Sequence, residues 1–156
     1  MNTGISRRAV LQALAVLTVA PLAAGAQPAL PLVEIYKSPG CGCCKDWIKH
    51  LEANGFKVKV NDVEDSRTWR ARFGMPEKFG SCHTAVVGGY VAEGHAPAAE
   101  VKRLLHDKPA ALGITVTGMP IGSPGMDGPE YKRQKDRFNV LLVAEDGAAR
   151  AWASYN

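Results

Sequence analysis

An apolar run at residues 32–36 is broken by Pro39 and Gly40, and Trp47, Ile48 and Leu51 then follow at helical spacing. This stretch reads as a strand end, a turn and a helix start. Cys41, Cys43 and Cys44, three of the four cysteines, fall within it. At or just before a helix N-terminus, unpaired backbone N–H groups and the positive end of the helix dipole favour the thiolate, the form that attacks disulfides and binds metals. The cysteines therefore read as reactive rather than as inert core residues, which seldom cluster at a Pro-Gly turn.

Two chemistries fit the spacing. Cys41 and Cys44 form a C-x-x-C, the arrangement of a thioredoxin-like redox pair when it follows a strand and opens a helix. Cys43 does not serve that use, because a third thiol only offers a competing disulfide partner. A metal site can use all three. Cys43 is rotated by about 100° from Cys44 on a helix, so their sulfurs suit several bridged ions better than one tetrahedral ion. Soft thiolates select Cu(I), zinc or iron-sulfur clusters. Two structural disulfides are a further possibility for four cysteines, but adjacent Cys43 and Cys44 make two long-range bridges sterically awkward.

Residues 1–26 read as an export signal. Arg7 and Arg8 sit in a twin-arginine pattern, residues 13–24 are apolar without charge, and Ala24-Gly25-Ala26 is a small-residue site, so cleavage is expected after Ala26. The apolar stretch is too short to span a membrane, which takes about twenty residues. Residues 27–156 then form one domain of about 130 residues, enough for a single modest core. Without the two signal arginines the chain keeps 17 basic against 15 acidic side chains, and no basic run or aromatic-basic interleaving points to nucleic acid.

The order of elements is that of a small α/β domain. A strand at residues 32–36 precedes a helix at 43–53, stopped by Asn54-Gly55, and an alternating strand at 56–63. A short helix at 66–73 takes Asp65 or Ser66 as its cap. Residues 83–87 and 90–93 flank Gly88-Gly89 as a hairpin, and a helix at 97–106 follows. Strand, helix, strand, helix, hairpin, helix is the thioredoxin order; a right-handed crossover makes the first two strands parallel, with the hairpin extending the sheet. Residues 113–129 are rich in glycine and proline and read as a long loop, which in a compact domain is functional or disordered. A last hairpin at 138–144 and 149–152 is expected to cover an edge or face of the sheet.

That order places Cys82 at the start of the hairpin's first strand, beside the C-x-x-C turn. Redox members of the thioredoxin class usually hold a cis-proline there, yet no proline lies between Pro76 and Pro97, and a further soft donor stands in its place. Adjacent strand residues point to opposite faces, so Cys82 and His83 are not expected to reach one ion together. His83 otherwise reads as a histidine bonded in the sheet. By position alone, His95 reads as a solvated or capping residue of a loop, and His50 and His106 as surface residues of helices. Met75, in Gly-Met-Pro, reads equally as packing or ligand. Met119 and Met126, framed by Gly and Pro, have the form of a thioether site for Cu(I), with hydrophobic filling under a loop as the competing account.

Taken together, Tyr36-Lys37-Ser38-Pro39 with Cys41-Gly42-Cys43-Cys44, Ser81-Cys82-His83-Thr84, Glu93-Gly94-His95 with Pro97, and Gly118-Met119-Pro120 through Gly125-Met126 resemble the exported thioredoxin-like metal-binding family catalogued as DUF411. The resemblance spans almost the whole chain after the signal, with the motifs in the family's order. It implies a thioredoxin-like α/β fold with a C-terminal loop and β-hairpin extension. It also implies a periplasmic protein that holds a cysteine-bridged copper cluster, takes part in copper resistance with other periplasmic copper-handling proteins, and has Cu(I)/Cu(II) redox chemistry open to it. Cysteine ligation carries onto Cys41, Cys43, Cys44 and Cys82, and His83, His95, Met119 and Met126 become candidate ligands. A thiol-disulfide oxidoreductase working through Cys41 and Cys44, and a structural zinc domain using Cys41, Cys44, Cys82 and a histidine, are the alternatives.

Overall fold

The computed structural model describes residues 29–156. The expected export signal at residues 1–26 lies outside the described residues.

One mixed seven-stranded sheet, of order β2-β1-β3-β4-β5-β6-β7, organises the chain. Strand β1 (Val33–Lys37) leads into helix α1 (Gly42–Ala53), and β2 (Val58–Asp62) returns parallel to β1. Helix α2 (Ser66–Arg72) is capped by Asp65, whose carboxylate accepts from the Arg67 backbone N–H. Strands β3 (His83–Val87) and β4 (Tyr90–Glu93) form an antiparallel hairpin, with β3 also antiparallel to β1. This β2-β1-β3-β4 unit has the pairing that the sequence order predicts. The hairpin ends match residue for residue, because Gly88 and Gly89 carry the positive φ values, +56° and +87°, that a tight two-residue turn demands.

Helix α3 (Ala98–Asp107) then crosses to β5 (Gly113–Thr115), which lies parallel to β4 and antiparallel to β6 (Phe138–Val143). Strand β7 (Ala149–Tyr155) pairs with β6 and closes the sheet. Strand β5 corrects the expectation of a loop throughout residues 113–129. Its three residues are wholly buried between two neighbours, so tertiary pairing makes a strand where local composition signals none. Through β5 the C-terminal hairpin extends the same sheet rather than packing across it.

Alternation along the strands divides the interior. Trp47 and Leu51 of α1 and Val101 and Leu104 of α3 pack with Ile35, Ala85, Ala92, Ile114 and Val140 on one face. Met75, Phe79, Val91 and Val143 form a smaller cluster, which settles Met75 as packing. Val91 and Ala92, like Leu142 and Val143, fall in different clusters, as period-two side chains must. No helix among the described residues is long and apolar enough to cross a membrane.

Candidate metal centre

The site forms where the C-terminal end of β1 meets the start of β3. Cys41 is the N-cap of α1, in extended conformation, and its N–H donates to the Ser38 carbonyl at 3.1 Å, which closes the turn. Cys43 and Cys44 occupy the first helical turn, and Cys44 shares the fully buried face of Trp47 and Leu51. Antiparallel pairing sets Lys37 opposite His83, so the residue before His83 arrives beside the cysteine turn. Pairing of Thr84 with Glu93 likewise brings the two residues beyond Glu93 alongside Cys82 and His83, and Gly94 N–H donates to the His83 carbonyl at 3.0 Å. Sheet register alone thus gathers donors separated by more than fifty positions.

Two groups result. The sulfurs of Cys41, Cys43, Cys44 and Cys82 lie within 4.8 Å of one another, as do the donor atoms of Cys82, His83 and His95. Cys41 and Cys44 are joined by a disulfide, and Cys43 and Cys82 are free. Cys43 Sγ stands 3.5 Å from Cys41 Sγ and 3.9 Å from Cys82 Sγ, while Cys82 Sγ is 3.6 Å from Cys44 Sγ. Cys82 also faces His83 Nδ1 at 3.3 Å and His95 Nε2 at 3.0 Å, so this one sulfur belongs to both groups.

The joint approach of Cys82 and His83 corrects the expectation that they point apart. Cys82 sits in a bend just before β3, where the alternation of strand side chains does not yet apply. The solvated or capping reading of His95 is also corrected: its side chain is completely buried. His95 Nδ1 lies 2.7 Å from the Pro124 carbonyl, which can only accept, so Nδ1 carries the proton and Nε2 presents its lone pair to Cys82. A backbone carbonyl fixing the distal nitrogen of an imidazole is a common means of orienting a metal ligand.

Burial governs the protonation of the centre. His83 is pushed down to about 3, first by burial, then by His95, and by Lys37, so its imidazole is neutral at ordinary pH. Its Nε2 has no hydrogen-bond partner among the described residues, and its ring lies 4.3 Å from that of Trp47. His95 is likewise lowered, chiefly by burial. The Cys82 thiol is pushed up to about 12 by burial and then by Cys43, so in the free protein it keeps its proton. A soft cation bound at that sulfur would take the proton's place and remove the cost of a buried negative charge. Neutral imidazoles and a thiol awaiting a cation make a donor set for a soft metal.

Met119 reaches the same place, its Sδ 4.0 Å from Cys43 Sγ. Met126 is buried within the loop that carries it, and its sulfur accepts the Tyr131 hydroxyl at 3.4 Å. The thioethers thus part company, one against the cysteines and one under the loop. His50 does not lie free on the surface: its Nε2 accepts the Ala98 N–H at 3.0 Å and ties α1 to the start of α3. His106 is exposed and pairs with Asp107.

A buried clamp that the sequence reading missed holds the second side of the site. Glu93 Oε1 accepts from Arg70 Nε and from the Ser81 N–H, both at 2.8 Å, and Oε2 accepts from the Thr84 hydroxyl at 2.6 Å. Arg70 also donates to the Ser81 carbonyl at 2.6 Å. The peptide groups before Cys82 are therefore fixed from both ends. A carboxylate closing an apolar strand next to Gly-His was the available signal.

The cover over His95 depends on Gly125. Its φ is +84°, and a Cβ there would stand 2.6 Å from the Cys43 carbonyl and 2.8 Å from the Trp47 nitrogen. Gly125→Ala is expected to cost about 1–3 kcal/mol for the left-handed backbone, before the clash with α1 is counted. Urea unfolding of the variant measures it; an unchanged midpoint would mean that the loop shifts without strain.

The family described as a protein of unknown function, DUF411, matches residues 79–126. Two solved structures of the copper resistance protein CopG resemble the chain. Form 1 is 41% identical, covers 81% of this chain and 98% of its own, and has a TM-score of 0.74. Form 2 is also 41% identical, covers 81% and 99%, and has a TM-score of 0.76. No curated protein matches the chain.

Proposed function

Since the chain belongs to the DUF411 family, with the copper resistance protein CopG a relative at 41% identity, we propose that it is a periplasmic copper-binding protein of copper resistance or homeostasis. Its cargo is Cu(I), held by Cys41, Cys43, Cys44 and Cys82 as a thiolate-bridged group of several ions, with His83, His95 and Met119 completing or exchanging the coordination. Met126 supports the loop or joins as a reserve thioether. The observation that carries this reading is the meeting of four sulfurs within 4.8 Å, with Cys82 shared by two buried imidazoles. Cu(I) accepts low coordination numbers, and thiolate sulfur can bridge it. The imidazole side accommodates Cu(II) better than the sulfur side does, which gives the centre access to one-electron chemistry. A twin-arginine signal at residues 1–26, removed after Ala26, would deliver the domain of residues 27–156 to the periplasm, where other copper-handling proteins are its partners.

The Cys41–Cys44 disulfide withholds two of the four thiolates, so loading requires a two-electron reduction. Anaerobic Cu(I) titration followed by native mass spectrometry tests the reading. The reduced protein should take up several coppers together, the Cys43→Ser variant fewer, and the disulfide form fewer still. Uptake of none, or of one weak ion indifferent to Cys43, would defeat it. The same disulfide, with the Cys82 sulfur 3.6 Å from Cys44, favours thiol-disulfide exchange as a second reading. That activity would survive Cys43→Ser and be measured as turnover of a disulfide substrate. A structural zinc site would instead give one tightly held zinc per chain and cooperative unfolding on chelation.

A further inference from the structure

We propose that Met119 is the acquisition ligand of this centre, an exposed thioether that takes a soft monovalent cation from its carrier and passes it to Cys43. The role rests on the copper reading and adds to it a route and a class of donor. Of the exposed large apolar side chains among the described residues, Leu32, Val60 and Met119, only Met119 carries a soft donor atom. Met119 is 51% exposed, whereas Cys44, His83 and His95 are wholly buried. Cys41, Cys43 and Cys82 are half-buried behind it.

Its exposure is built into the backbone. On one side, the Gly118 N–H donates to the Gly80 carbonyl at 3.3 Å and the Gly118 carbonyl accepts the Ser81 hydroxyl. On the other, Ile121 exchanges hydrogen bonds with Asp136 through its N–H and its carbonyl, both at 2.8 Å. The chain is held before and after Met119, and the thioether is presented outward beside Cys43 at 4.0 Å. Metal–thiolate bonds are roughly 2.3 Å long for zinc, so two sulfurs at this spacing can touch one ion together. A cation at Met119 need not leave one sulfur before meeting the next.

Charge does not select the cargo here, because the loop carries Lys132, Arg133, Lys135 and Arg137 as well as Asp127, Glu130 and Asp136. Softness does. A thioether has no proton to lose and forms no disulfide, so it is ready to bind at any pH and in either state of Cys41 and Cys44. Transfer proceeds by ligand exchange without change of oxidation state: a carrier–Cu(I) bond breaks, a Cu(I)–sulfur bond to Met119 and then to Cys43 forms, and the Cys43 thiol proton leaves to solvent. The carrier that fits is one holding Cu(I) through few thioether or thiolate ligands.

The test is anaerobic stopped-flow transfer from a Cu(I)–bicinchoninate chelate to the reduced protein, with the final copper number read by native mass spectrometry. Met119→Leu should slow transfer tenfold or more, with the same final copper number as the parent, and Val60→Thr, at an exposed apolar residue of β2, should leave the rate unchanged. An unchanged rate for Met119→Leu would overturn the role. A lowered final copper number would overturn it too, by making Met119 a permanent ligand. A parent that takes up no Cu(I) at all would instead bring down the copper reading on which the role stands.

Discussion

Replacing Cys82 with serine is expected to cost the protein more copper than loss of any single cysteine of α1. The exchange of sulfur for oxygen hardly changes volume, so the fold should persist and the melting temperature stay within a few degrees. The donor set changes completely. Cys82 Sγ is the one atom within 4 Å of Cys43, Cys44, His83 and His95 donors alike, at 3.9, 3.6, 3.3 and 3.0 Å. A serine hydroxyl is a hard donor that keeps its proton, so the sulfur group loses its fourth member and the imidazoles lose their shared partner. Loss of an outer partner costs a metal site roughly 10–100-fold in affinity, and loss of this direct donor should exceed that. Competition against a Cu(I) chelator measures it. A Cys82→Ser protein that matches the parent in affinity and number would show that the helix cysteines suffice.

The largest effect on stability should come from separating Arg70 and Glu93. Their side chains are 4% and 0% exposed, and removing either leaves the other charged and buried, a change that costs about 3–5 kcal/mol. Glu93 already bears a strain from burial, which pushes its carboxyl up although Thr84, Ser81 and Arg70 pull it down. Arg70→Leu should therefore unfold at markedly lower urea, because it strips the buried Glu93 carboxylate of its cation, while the pair Arg70 makes with Glu77, whose side chain is 75% exposed, adds little. Arg70→Leu combined with Glu93→Leu should recover a large part of the loss, since no buried charge is then left alone. If the two losses simply added, the pair would not be coupled. The copper number of the folded double variant reports separately on how firmly Ser81 holds Cys82.

Much of this arrangement could be read from the residues, for identifiable reasons. Pro39-Gly40 between an apolar run and helical spacing fixed the strand-to-helix turn, and Gly88-Gly89 fixed the hairpin, because both depend on local backbone chemistry. Strand β5 was not legible, since Gly113-Ile114-Thr115 is too short for any period and becomes a strand only between β4 and β6. The burial of His95 arises from the Pro124 carbonyl 29 positions away. Cys82 meets His83 because it lies in the bend before β3, one residue short of where strand alternation begins. The Glu93 clamp draws on α2, the segment before β3 and β4 at once, and no window of sequence contains it.

The adjacency of β5 and β6 has a consequence for how such a protein can change. Thr115 pairs with Leu141, so the chain that leaves after β5 comes back to within about 5 Å of its departure. The intervening stretch, with Met119, Pro124 and Gly125, is a closed excursion whose ends the sheet already fixes. The cysteines belong to other segments, α1 and the start of β3. Cover and cradle are thus separate stretches of chain: a change of length between the fixed ends of the excursion would re-aim Met119 and the Pro124 carbonyl that orients His95, while the cysteine sulfurs of α1 and Cys82 keep their places.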